Sequence, residues 1–399
     1  MTKRILEGLC ELIVDCKNRT PPEASQGEGI AFAIGTPHIV DGRIRLQDAK
    51  RVTQETFETW TARAVPRAGD IVLTREAPVG RVGRVEEGMK VCLGQRTMLL
   101  RADAAVADSR FLHYLLLSDE VQATLHAHAS GSTVPHLRVA QVRTLPIPVI
   151  PSLDVQKQIG TVLGGLDDKI AANERVAEKS LELADVQFNR AAQGLDFGAE
   201  TFGSVAAVVG GGTPSTKAED YWSGGIAWAT PSDVTALSSP YLFETSRTIT
   251  AAGLDNCASQ LYPAHSIFMT SRATIGAFAL PQIPAAANQG FIVVLPPSSE
   301  MRWWLLHEMR SRVDEMISLA NGSTFLELSR KNFKAMPIRL PSGEGLVEFA
   351  RIADSLHQRA AQASAENRAL VALRDTLLPQ LMSGKLRVRD AEQIVEDAV

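Results

Sequence analysis

The most regular pattern of hydrophobic and polar positions in this chain is a helical stripe that occurs twice. Between about residues 152 and 190 there is no proline, and apolar or small residues recur at helical spacing, at Ile159, Val162, Leu163, Leu166, Ile170, Val176, Ala177 and Leu181. Between about residues 344 and 378 the spacing is seven residues, at Phe349, Leu356, Ala363, Leu370 and Leu377. Heptads sustained over this length predict two long helices that pair as a coiled coil.

The two predicted helices have the dimensions of a spacer. At about 1.5 Å per residue, a helix of about 36 to 40 residues is about 55 to 60 Å long, which exceeds what one domain needs for its own packing. Two such helices can pair antiparallel and hold globular parts at opposite ends. Asn173 and Asn367 fall in or beside the stripes. Such residues either fix the register of a coiled coil or lie solvated at its edge, and the sequence leaves both interpretations open.

Before each stripe lies a region of short apolar runs cut by glycine and proline, which is typical of strands and tight turns. The clearest runs are "DIVLT", "TMLLR", "SIFMT" and "GFIVVLP". Helix-like stretches follow at residues 109–129 and 300–319. The pattern predicts a mixed α/β (α+β) fold for each region.

These features recur in the same order along the chain, which indicates an internal duplication. Corresponding segments are "GIAFA" and "GIAWA", "DIVLT" and "SIFMT", Gly80 and Gly276, and Gln95 and Gln289. The pairs lie about 190 to 197 residues apart, a drift that loops of unequal length explain. The predicted segments are a globular domain at 1–151, a long helix within 152–196, a second globular domain at 197–343, and a second long helix with a C-terminal tail at 344–399.

The composition of the chain indicates neither disulfide bonds nor a membrane span. Its four cysteines form no CxxC pair and share no metal-ligand spacing with histidine, so reduced cysteines and a cytoplasmic location are expected. No apolar run approaches the roughly 18 residues that cross a bilayer. A net charge of −4 gives no overall attraction to nucleic acid, so DNA binding would require a local basic face.

The glycine run in "VVGGGTPSTKAEDYW" does not fit a nucleotide-binding loop. A Walker A loop needs glycine directly before Lys-Ser/Thr, whereas Pro214 and Thr216 interrupt the spacing and the order of lysine and hydroxyl residues is reversed. A dinucleotide loop needs a third glycine where Ser215 stands. Two uses stay open for these glycines: a sharp turn, or a close approach of the backbone to a DNA strand.

Other catalytic signals are also missing from the sequence. There is no Asp/Asn-Pro-Pro-aromatic tetrad of an amino-group methyltransferase and no G-x-S-x-G elbow. His126 and His128 are two residues apart and point to different faces of a helix. "LDDK" at residues 166–169 lies within the helical stripe, where a solvated charged face is favoured over a nuclease carboxylate cluster.

Loops rich in glycine, hydroxyl, amide and basic residues carry the remaining chemistry. Backbone N–H and hydroxyl groups hold phosphates, while arginine and glutamine read base edges. The candidate DNA contacts of the first domain are Lys17, Arg19, Arg75, Arg81, Gln95 and Arg96. Those of the second domain are Thr213, Ser215, Lys217, Thr230, Ser232, Arg272 and Gln289.

Some of these assignments have simpler alternatives. Thr133 and Thr324, in the two "GST" segments, are weaker candidate contacts because a turn beside a strand is their simpler role. Phe32 and Trp228, at matched positions, are favoured as core residues over base-stacking residues. Acidic residues nearly balance the arginines of the first domain, so a basic face and a salt-bridged exterior are both open.

Four stretches carry a resemblance to a known family. They are "GGGTPSTKAEDYWSGGIAWATPSDV", "DCKNRTPP" with "GIAFA", "QKQIGTVLGGLDDKIAANERV" and "LRDTLLPQLMSGKLRV". They resemble parts of the specificity (S) subunits of type I restriction–modification systems. The first is similar to the start of a target-recognition domain and the second to a divergent copy of that start. The third is similar to the central conserved helix and the fourth to the C-terminal tail. The second helix lacks a clean "LDDKI" and the first domain lacks the Gly-Gly-Gly run, which weakens the symmetry.

The resemblance implies two tandem target-recognition domains, at 1–151 and 197–343, separated by two long helices that pair as an antiparallel coiled coil. Each domain would read one half of an interrupted double-stranded DNA site, and the helices would set the spacing and dock two methyltransferase (M) subunits. The chain would be non-catalytic and bind no cofactor or metal. S-adenosylmethionine, ATP and Mg would be used by the M subunits and, where present, restriction (R) subunits. The alternative function is a coiled-coil protein scaffold that does not bind DNA.

Overall fold

The structure, a computed structural model, describes residues 4–17, 19–129, 135–322 and 326–398. It forms two compact units, one of Met1–Asp168 with Leu370–Val399 and the other of Lys169–Ala369. Each unit contains one globular domain and a part of both long helices. Over the described ranges, none of the helices combines the length and the apolar character that crossing a membrane requires. The domain boundaries after residues 151, 196 and 343 stay predictions.

The first unit contains two sheets flanked by helices. Its strands are β1 (Cys10–Asp15), β2 (Ala31–Ile34), β3 (Ile39–Val40), β4 (Arg43–Ile44), β5 (Lys50–Val52), β6 (Ile71–Arg75), β7 (Val79–Arg84), β8 (Val91–Leu93) and β9 (Thr97–Ala102). Its helices are α1 (Gln54–Trp60), α2 (Ser109–Leu117), α3 (Asp119–His128), α4 (Val139–Arg143) and the first part of the long α5 (Leu153–Ala192), with 3₁₀ turns at Leu6–Leu9 and Thr36–His38. The sheet orders are β1-β9-β6-β7-β4-β3 and β5-β2-β8.

The second unit has the same kind of sheets. Its strands are β10 (Ala207–Gly210), β11 (Trp222–Ala229), β12 (Tyr241–Leu242), β13 (Thr248–Ile249), β14 (Ile267–Thr270), β15 (Phe278–Pro281), β16 (Ala285–Ala287) and β17 (Phe291–Leu295). Its helices are α6 (Phe202–Val205), α7 (Pro231–Thr235), α8 (Ala251–Asp255), α9 (Ser299–Arg310), α10 (Val313–Ser318), α11 (Arg330–Ala335) and most of α12 (Gly343–Met382), with a 3₁₀ turn at Glu219–Tyr221. Helix α13 (Val388–Ala398) belongs to the first unit.

The strand pairing confirms the duplication. The order β1-β9-β6-β7 in the first unit matches β10-β17-β14-β15 in the second. In each small sheet the central strand has one parallel and one antiparallel neighbour: β2 lies between β8 and β5, and β11 between β16 and β13. Gly80 and Gly276 have φ angles of 90° and 89°, a conformation that glycine adopts at no steric cost. The two copies therefore share topology as well as motifs.

Local sequence explains where several elements begin and end. The hydroxyls of Thr53 and Thr250 accept hydrogen bonds from the first turns of α1 and α8, as N-cap residues do. The predicted helix at 109–129 is two helices, because Ser118 is extended, with ψ 145°. The stretch at 300–319 is likewise divided, into α9 and α10. Periodicity alone does not locate such breaks.

The long helices pack antiparallel within the second unit. Phe188 of α5 contacts Phe349 near the start of α12, with ring centroids 5.8 Å apart. Asn173 is buried and donates to Glu366 Oε2 at 2.9 Å, while Asn367 Nδ2 donates to the Ile170 carbonyl at 3.1 Å. Both asparagines thus bond across the helix pair, which favours the register interpretation over solvated edge positions.

The stripes were predicted closely but not completely. Phe349, Ala363, Leu370 and Leu377 are buried, whereas Leu356 is only half-buried and its neighbours on the helix, Ala353 and Ala360, are fully buried. Helix α12 also continues past Pro379, one residue beyond the predicted end, to Met382. A proline this close to a helix end removes one backbone hydrogen bond without ending the helix at once.

"LDDK" is not simply a solvated face, so this prediction is wrong for Asp167. The Tyr114 hydroxyl donates to Asp167 Oδ2 at 2.5 Å, and Arg374 Nη1 lies 2.8 Å from Asp167 Oδ1. Asp168 is exposed and pairs with Arg110 at 2.9 Å. Asp167 therefore joins α5 to α2 and α12 within the first unit, and the sequence pattern shows neither partner because Arg374 is distant along the chain.

A buried hydrogen-bond chain joins the second domain to both long helices. His307 of α9 contacts Asp185 of α5 through Nδ1 at 2.6 Å and His357 of α12 through Nε2 at 2.9 Å. Tyr241 of β12 contacts His357 Nδ1 at 2.9 Å. Burial lowers the pKa of both histidines, most strongly for His357, which His307 also faces. Burial alone would raise the pKa of Asp185, but hydrogen bonds from His307 and Arg310 hold it below the usual range.

We expect acidification from pH 7 to pH 5 to destabilise the second unit. The unfolded histidines gain a proton near pH 6.5, while His307 and His357 resist protonation in the folded state. The unfolded state therefore binds more protons, and stability decreases as the pH is lowered. The loss is up to about 2 kcal/mol for each histidine that stays neutral. Asp185 acts in the same direction only at lower pH, because its carboxyl stays ionised throughout this window.

Urea unfolding at both pH values, followed by tryptophan fluorescence, measures this dependence. Four of the five tryptophans lie in the second unit, so the signal reports mainly on it. The variant His357→Gln should show a shallower pH dependence than the wild type, and substitution of the exposed His128 should leave it unchanged. Equal slopes for wild type and His357→Gln would contradict the assignment.

Candidate nucleic-acid interface

In the first domain, several loops meet at one edge of the sheets. The turn from β8 to β9 bonds to the ends of two other strands, since Gly94 N–H donates to the Ile34 carbonyl and Arg75 N–H to the Arg96 carbonyl, both at 2.7 Å. The loop after β1 joins them where Cys16 N–H donates to the Thr97 carbonyl at 3.4 Å. We call residues 16–17, 19–20, 75–77 and 94–96 the first edge.

Most of the predicted contacts of the first domain lie at the first edge. Lys17 and Arg19 are exposed, and the Lys17 ammonium lies 4.5 Å from the centre of the Trp60 ring. Arg96 is exposed and pairs loosely with Glu76 at 3.6 Å. Exposed pairs of this kind contribute little to stability, so such an arginine can exchange its carboxylate for a phosphate at small cost.

Three further candidates of the first domain are partly engaged within the protein. Arg75 is half-buried, and its Nη1 lies 3.5 Å from the Leu137 carbonyl. Arg81, at the start of β7, is exposed and donates to the Thr36 carbonyl at 3.1 Å. Gln95 is exposed in the β8–β9 turn. The structure thus places all six candidates at or beside one edge, with different freedom to contact a ligand.

The second domain repeats this arrangement. The turn from β16 to β17 bonds to the ends of β11 and β14, since Asn288 N–H donates to the Ala229 carbonyl at 3.0 Å and Ser271 N–H to the Gly290 carbonyl at 2.8 Å. The loop after β10 joins through Gly212 N–H, which donates to the Ala287 carbonyl at 2.9 Å. We call residues 211–217, 230–232, 271–273 and 288–290 the second edge.

The glycine run is packed against the protein's own backbone. A Cβ atom on Gly211 would overlap the carbonyl oxygens of Ala287 and Asn288. A Cβ on Gly212 would lie 2.5 Å from the backbone nitrogen of Ala258. The sequence left a turn and an approach to DNA open as roles for these glycines, and the structure shows a third role. Gly211 lets the loop lie directly on the β16–β17 turn, and Gly212 lets it lie against the backbone at Ala258.

Predicted contacts of the second domain also gather at the second edge. Thr213 donates through its hydroxyl to Gln289 Oε1, and both residues are exposed. Arg272 is exposed and pairs with the exposed Glu327 at 2.8 Å. Lys217 and Ser232 are exposed as well. The hydroxyl, amide and cationic groups expected for DNA contact thus lie on neighbouring loops.

Thr230 has a defined structural role at this edge. Its hydroxyl oxygen accepts from the Asp233 N–H at 3.4 Å, and its backbone N–H donates to Asp233 Oδ2 at 2.8 Å, so the two residues form a capping box at the start of α7. The Thr230 hydroxyl also donates to Asp233 Oδ2 at 2.6 Å. Burial alone would raise the pKa of Asp233, but hydrogen bonds from Thr230 and Ser246 lower it below the usual value. Asp233 therefore stays ionised and holds the loop after β11 in place.

Two arginines near the second edge were not among the predicted contacts. The exposed Arg247 stacks on Trp222, 3.6 Å from the ring centre, while the Trp222 Nε1–H donates to the Ser215 carbonyl at 3.1 Å. The exposed Arg330, at the start of α11, has its guanidinium close to Gly210. Arg247 stands in no repeated motif, whereas Arg330 lies in the repeated segment "NGSTFLELSRKNFKAMPI", of which only Thr324 was selected as a candidate contact.

Four predicted residues need separate mention. Thr133 and Thr324 lie outside the residues that the structure describes. Trp228 is 3% exposed, which confirms it as a core residue, and Phe32 is half-buried beneath the guanidinium of Arg51, 5.1 Å from its ring. Across the described ranges, no group of three or more His, Cys, Asp or Glu side chains is placed to hold a metal ion.

Comparison with known proteins identifies the family. The family described as type I restriction modification DNA specificity domain matches the chain twice, at residues 1–182 and 196–367. The MjaIX specificity subunit of Methanocaldococcus jannaschii is 31% identical over 159 residues, which is 39% of this chain but only 37% of that one. The HindI specificity subunit of Haemophilus influenzae is 21% identical, over 82% of this chain and 88% of that one.

A solved structure shows the same fold. The type I restriction–modification S subunit from M. genitalium aligns with a TM-score of 0.59 at 18% identity, covering 96% of each chain. Two tandem domains, duplicated strand orders and long helices that pack together agree with the family matches, which span most of the sequence. The chain therefore belongs to the family of type I restriction–modification DNA specificity subunits.

Proposed function

We propose that this chain is the DNA-reading subunit of a type I restriction–modification complex. Each domain reads one half of an interrupted double-stranded DNA sequence, and the long helices set the gap between the halves and dock two methyltransferase subunits. The chain itself catalyses nothing. It directs adenine methylation by those partners and, where they are present, DNA cleavage by restriction subunits. Its proposed location is the cytoplasm, where such a complex binds DNA.

The observation that supports this proposal is that both domains place the same kinds of groups at the same edge. Loops after the first strand and the turn before the last strand carry threonine, glutamine and basic residues in each copy. Two diverged copies with equivalent edges suit a site with two different halves, because a symmetric dimer would read two identical halves.

The cofactors of the reaction belong to the partners in this proposal. S-adenosylmethionine supplies the methyl group to the M subunits, and ATP with Mg serves the R subunits. The specificity chain contributes binding energy and position. Its arginine and lysine side chains contact phosphates, and its amide groups contact bases.

Binding of the chain, assembled with its methyltransferase partner, to DNA duplexes at increasing salt tests this function. Each phosphate contact lowers the slope of log affinity against log salt by about 0.9, so affinity should fall steeply. Arg272→Ala should make this slope less steep by about 1, as loss of one phosphate contact does. Arg351→Ala, which removes an exposed arginine of α12, is the matched control and should leave the slope unchanged.

Sequencing of methylated adenines in DNA modified by the same complex is a second test of the proposed function. The expected result is a two-part methylated sequence with a fixed gap. A complex that assembles but shows neither salt-dependent duplex binding nor methylation at such a sequence would instead support the protein scaffold and contradict the proposed function.

A further inference from the structure

Gln289 and Thr213 form an ordered side-chain pair on the second edge. Gln289 lies in the β16–β17 turn, which is closed by a hydrogen bond from Gly290 N–H to Asn288 Oδ1 at 2.8 Å. The turn presents the glutamine side chain to solvent, and the Thr213 hydroxyl donates to its Oε1 from the adjacent loop. The amide of this exposed glutamine is therefore held in one orientation.

An indole holds the loop that carries Thr213. The buried Trp228 donates its Nε1–H to the Gly212 carbonyl at 3.0 Å. The N–H of Gly212 donates in turn to the Ala287 carbonyl. Both backbone groups of the residue before Thr213 are thus bonded to the body of the domain, which fixes the point from which the threonine side chain starts.

The first domain makes the equivalent bond with a different residue. Phe32 is matched to Trp228 by the repeated segments "GIAFA" and "GIAWA", and a phenyl ring has no N–H to donate. Here Trp60, from the end of α1, donates its Nε1–H at 3.1 Å to the carbonyl of Arg19. Arg19 directly precedes Thr20, as Gly212 precedes Thr213.

The threonine and glutamine also recur in the first domain. Thr20 Oγ1 lies 3.5 Å from Gln95 Oε1, at the outer limit of a hydrogen bond, so this pair is a looser version of Thr213 and Gln289. The two domains differ in nearly every other residue of these loops. They retain an indole bond to the carbonyl before the threonine and a threonine next to the glutamine, although the indole comes from unrelated positions.

The chemistry of a fixed amide matches one base. An amide oxygen accepts two hydrogen bonds, so Oε1 can accept one from threonine and a second from adenine N6–H while Nε2 donates to adenine N7. Because the side chain is ordered before binding, less conformational entropy is lost on contact. An exposed hydrogen bond between two side chains adds little to folding stability, since water competes for both groups. Packing therefore does not account for the pair.

We propose that Gln289 is a specificity-determining residue that reads an adenine in the half-site bound by the second domain. Thr213 orients its amide, and Trp228 positions the threonine loop, so these two are positioning residues. The assignment rests on the proposed function, because it requires that this domain reads a half-site. By the same geometry, Gln95 is the corresponding residue for the other half-site.

Methylated sites mapped for the wild-type complex and for Gln289→Ala test the proposal. The variant should lose discrimination by about 5- to 150-fold at one A·T pair in one half-site, the range of a bidentate base contact. Gln95→Ala should relax a position in the opposite half-site. Thr213→Val keeps the shape and removes the hydroxyl, so it should lose part of the discrimination at the same A·T pair as Gln289→Ala.

Each variant contains its own folding control, because the unaltered half-site reports on assembly and activity. Thr235→Val, the same substitution at an exposed threonine of the second domain outside the second edge, should leave the methylated sequence unchanged. Wild-type discrimination by Gln289→Ala, or relaxation of both halves at once, would overturn the inference while leaving the proposed function intact. A wild-type complex without a two-part methylated sequence would overturn both.

Discussion

Replacement of residues 197–343 with the second domain of another type I specificity subunit should change one half of the methylated sequence and leave the other half and the gap unchanged. The physical reason is that base contacts are local to each edge, and no residue of the second edge comes from the first domain. The effect is complete rather than graded, since a new set of loops presents new donors and acceptors to the bases. Sequencing of methylated adenines measures the result.

The structure also indicates how such a chimera should be built. The first junction lies between the end of α5 at Ala192 and the start of α6 at Phe202, in exposed chain. The second lies at the start of α12. The donor domain should carry tyrosine and histidine at the positions of Tyr241 and His307, because these side chains bond to the long helices.

A reciprocal exchange of residues 1–151 is the matched control and should alter the opposite half. If either exchange changes both halves, or neither, the division of labour between the domains is wrong. A changed gap would show instead that the junctions disturb the long helices. Moving the junctions outward by a few residues should then restore the original gap.

Glu308→Ala should destabilise the second unit by about 3 to 5 kcal/mol, the usual result of breaking a buried ion pair by removing one partner. The Glu308 side chain is fully buried, with Arg339 Nη2 at 2.8 Å and Arg312 Nη1 at 3.2 Å. Removing the carboxylate leaves two guanidinium groups without it, and the one of Arg312 is almost fully buried.

Glu315, an exposed partner of the same Arg312, provides the control. Glu315 lies 2.7 Å from Arg312, but its side chain is 44% exposed, so Glu315→Ala should cost only about 0 to 1 kcal/mol. Urea unfolding monitored by tryptophan fluorescence compares the two variants under one condition. Equal losses for both substitutions would mean that burial of Glu308 has no energetic consequence.

Sequence periodicity predicted the parts of this fold that depend on neighbouring residues. Spacing of apolar residues gave both long helices and the main buried strands, because side-chain direction follows directly from backbone period. The ordered repeats gave the duplication and hence the equivalence of the two edges. Composition of the loops was enough to select Thr213, Arg272 and Gln289, which the fold brings to one edge.

Contacts between distant segments could not be predicted in this way. Asp167 meets Arg374 across 207 positions of sequence, and no local pattern links them. The role of Gly211 depends on the carbonyls of Ala287 and Asn288, which reach it only through strand pairing. Trp60 was not identified at all, because its counterpart in function, Trp228, stands at a different place in the repeat.

The indole donor comes from different positions in the two domains, Trp60 in the first and Trp228 in the second, and this limits how recognition loops can be transplanted. A loop taken from the second edge and placed in the first domain would lose the indole donor of Trp228, unless the Trp60 contact with the carbonyl before the threonine is preserved. Loop and indole therefore form one transferable unit in each domain. New specificities should arise more readily by exchange of whole domains than by exchange of single loops.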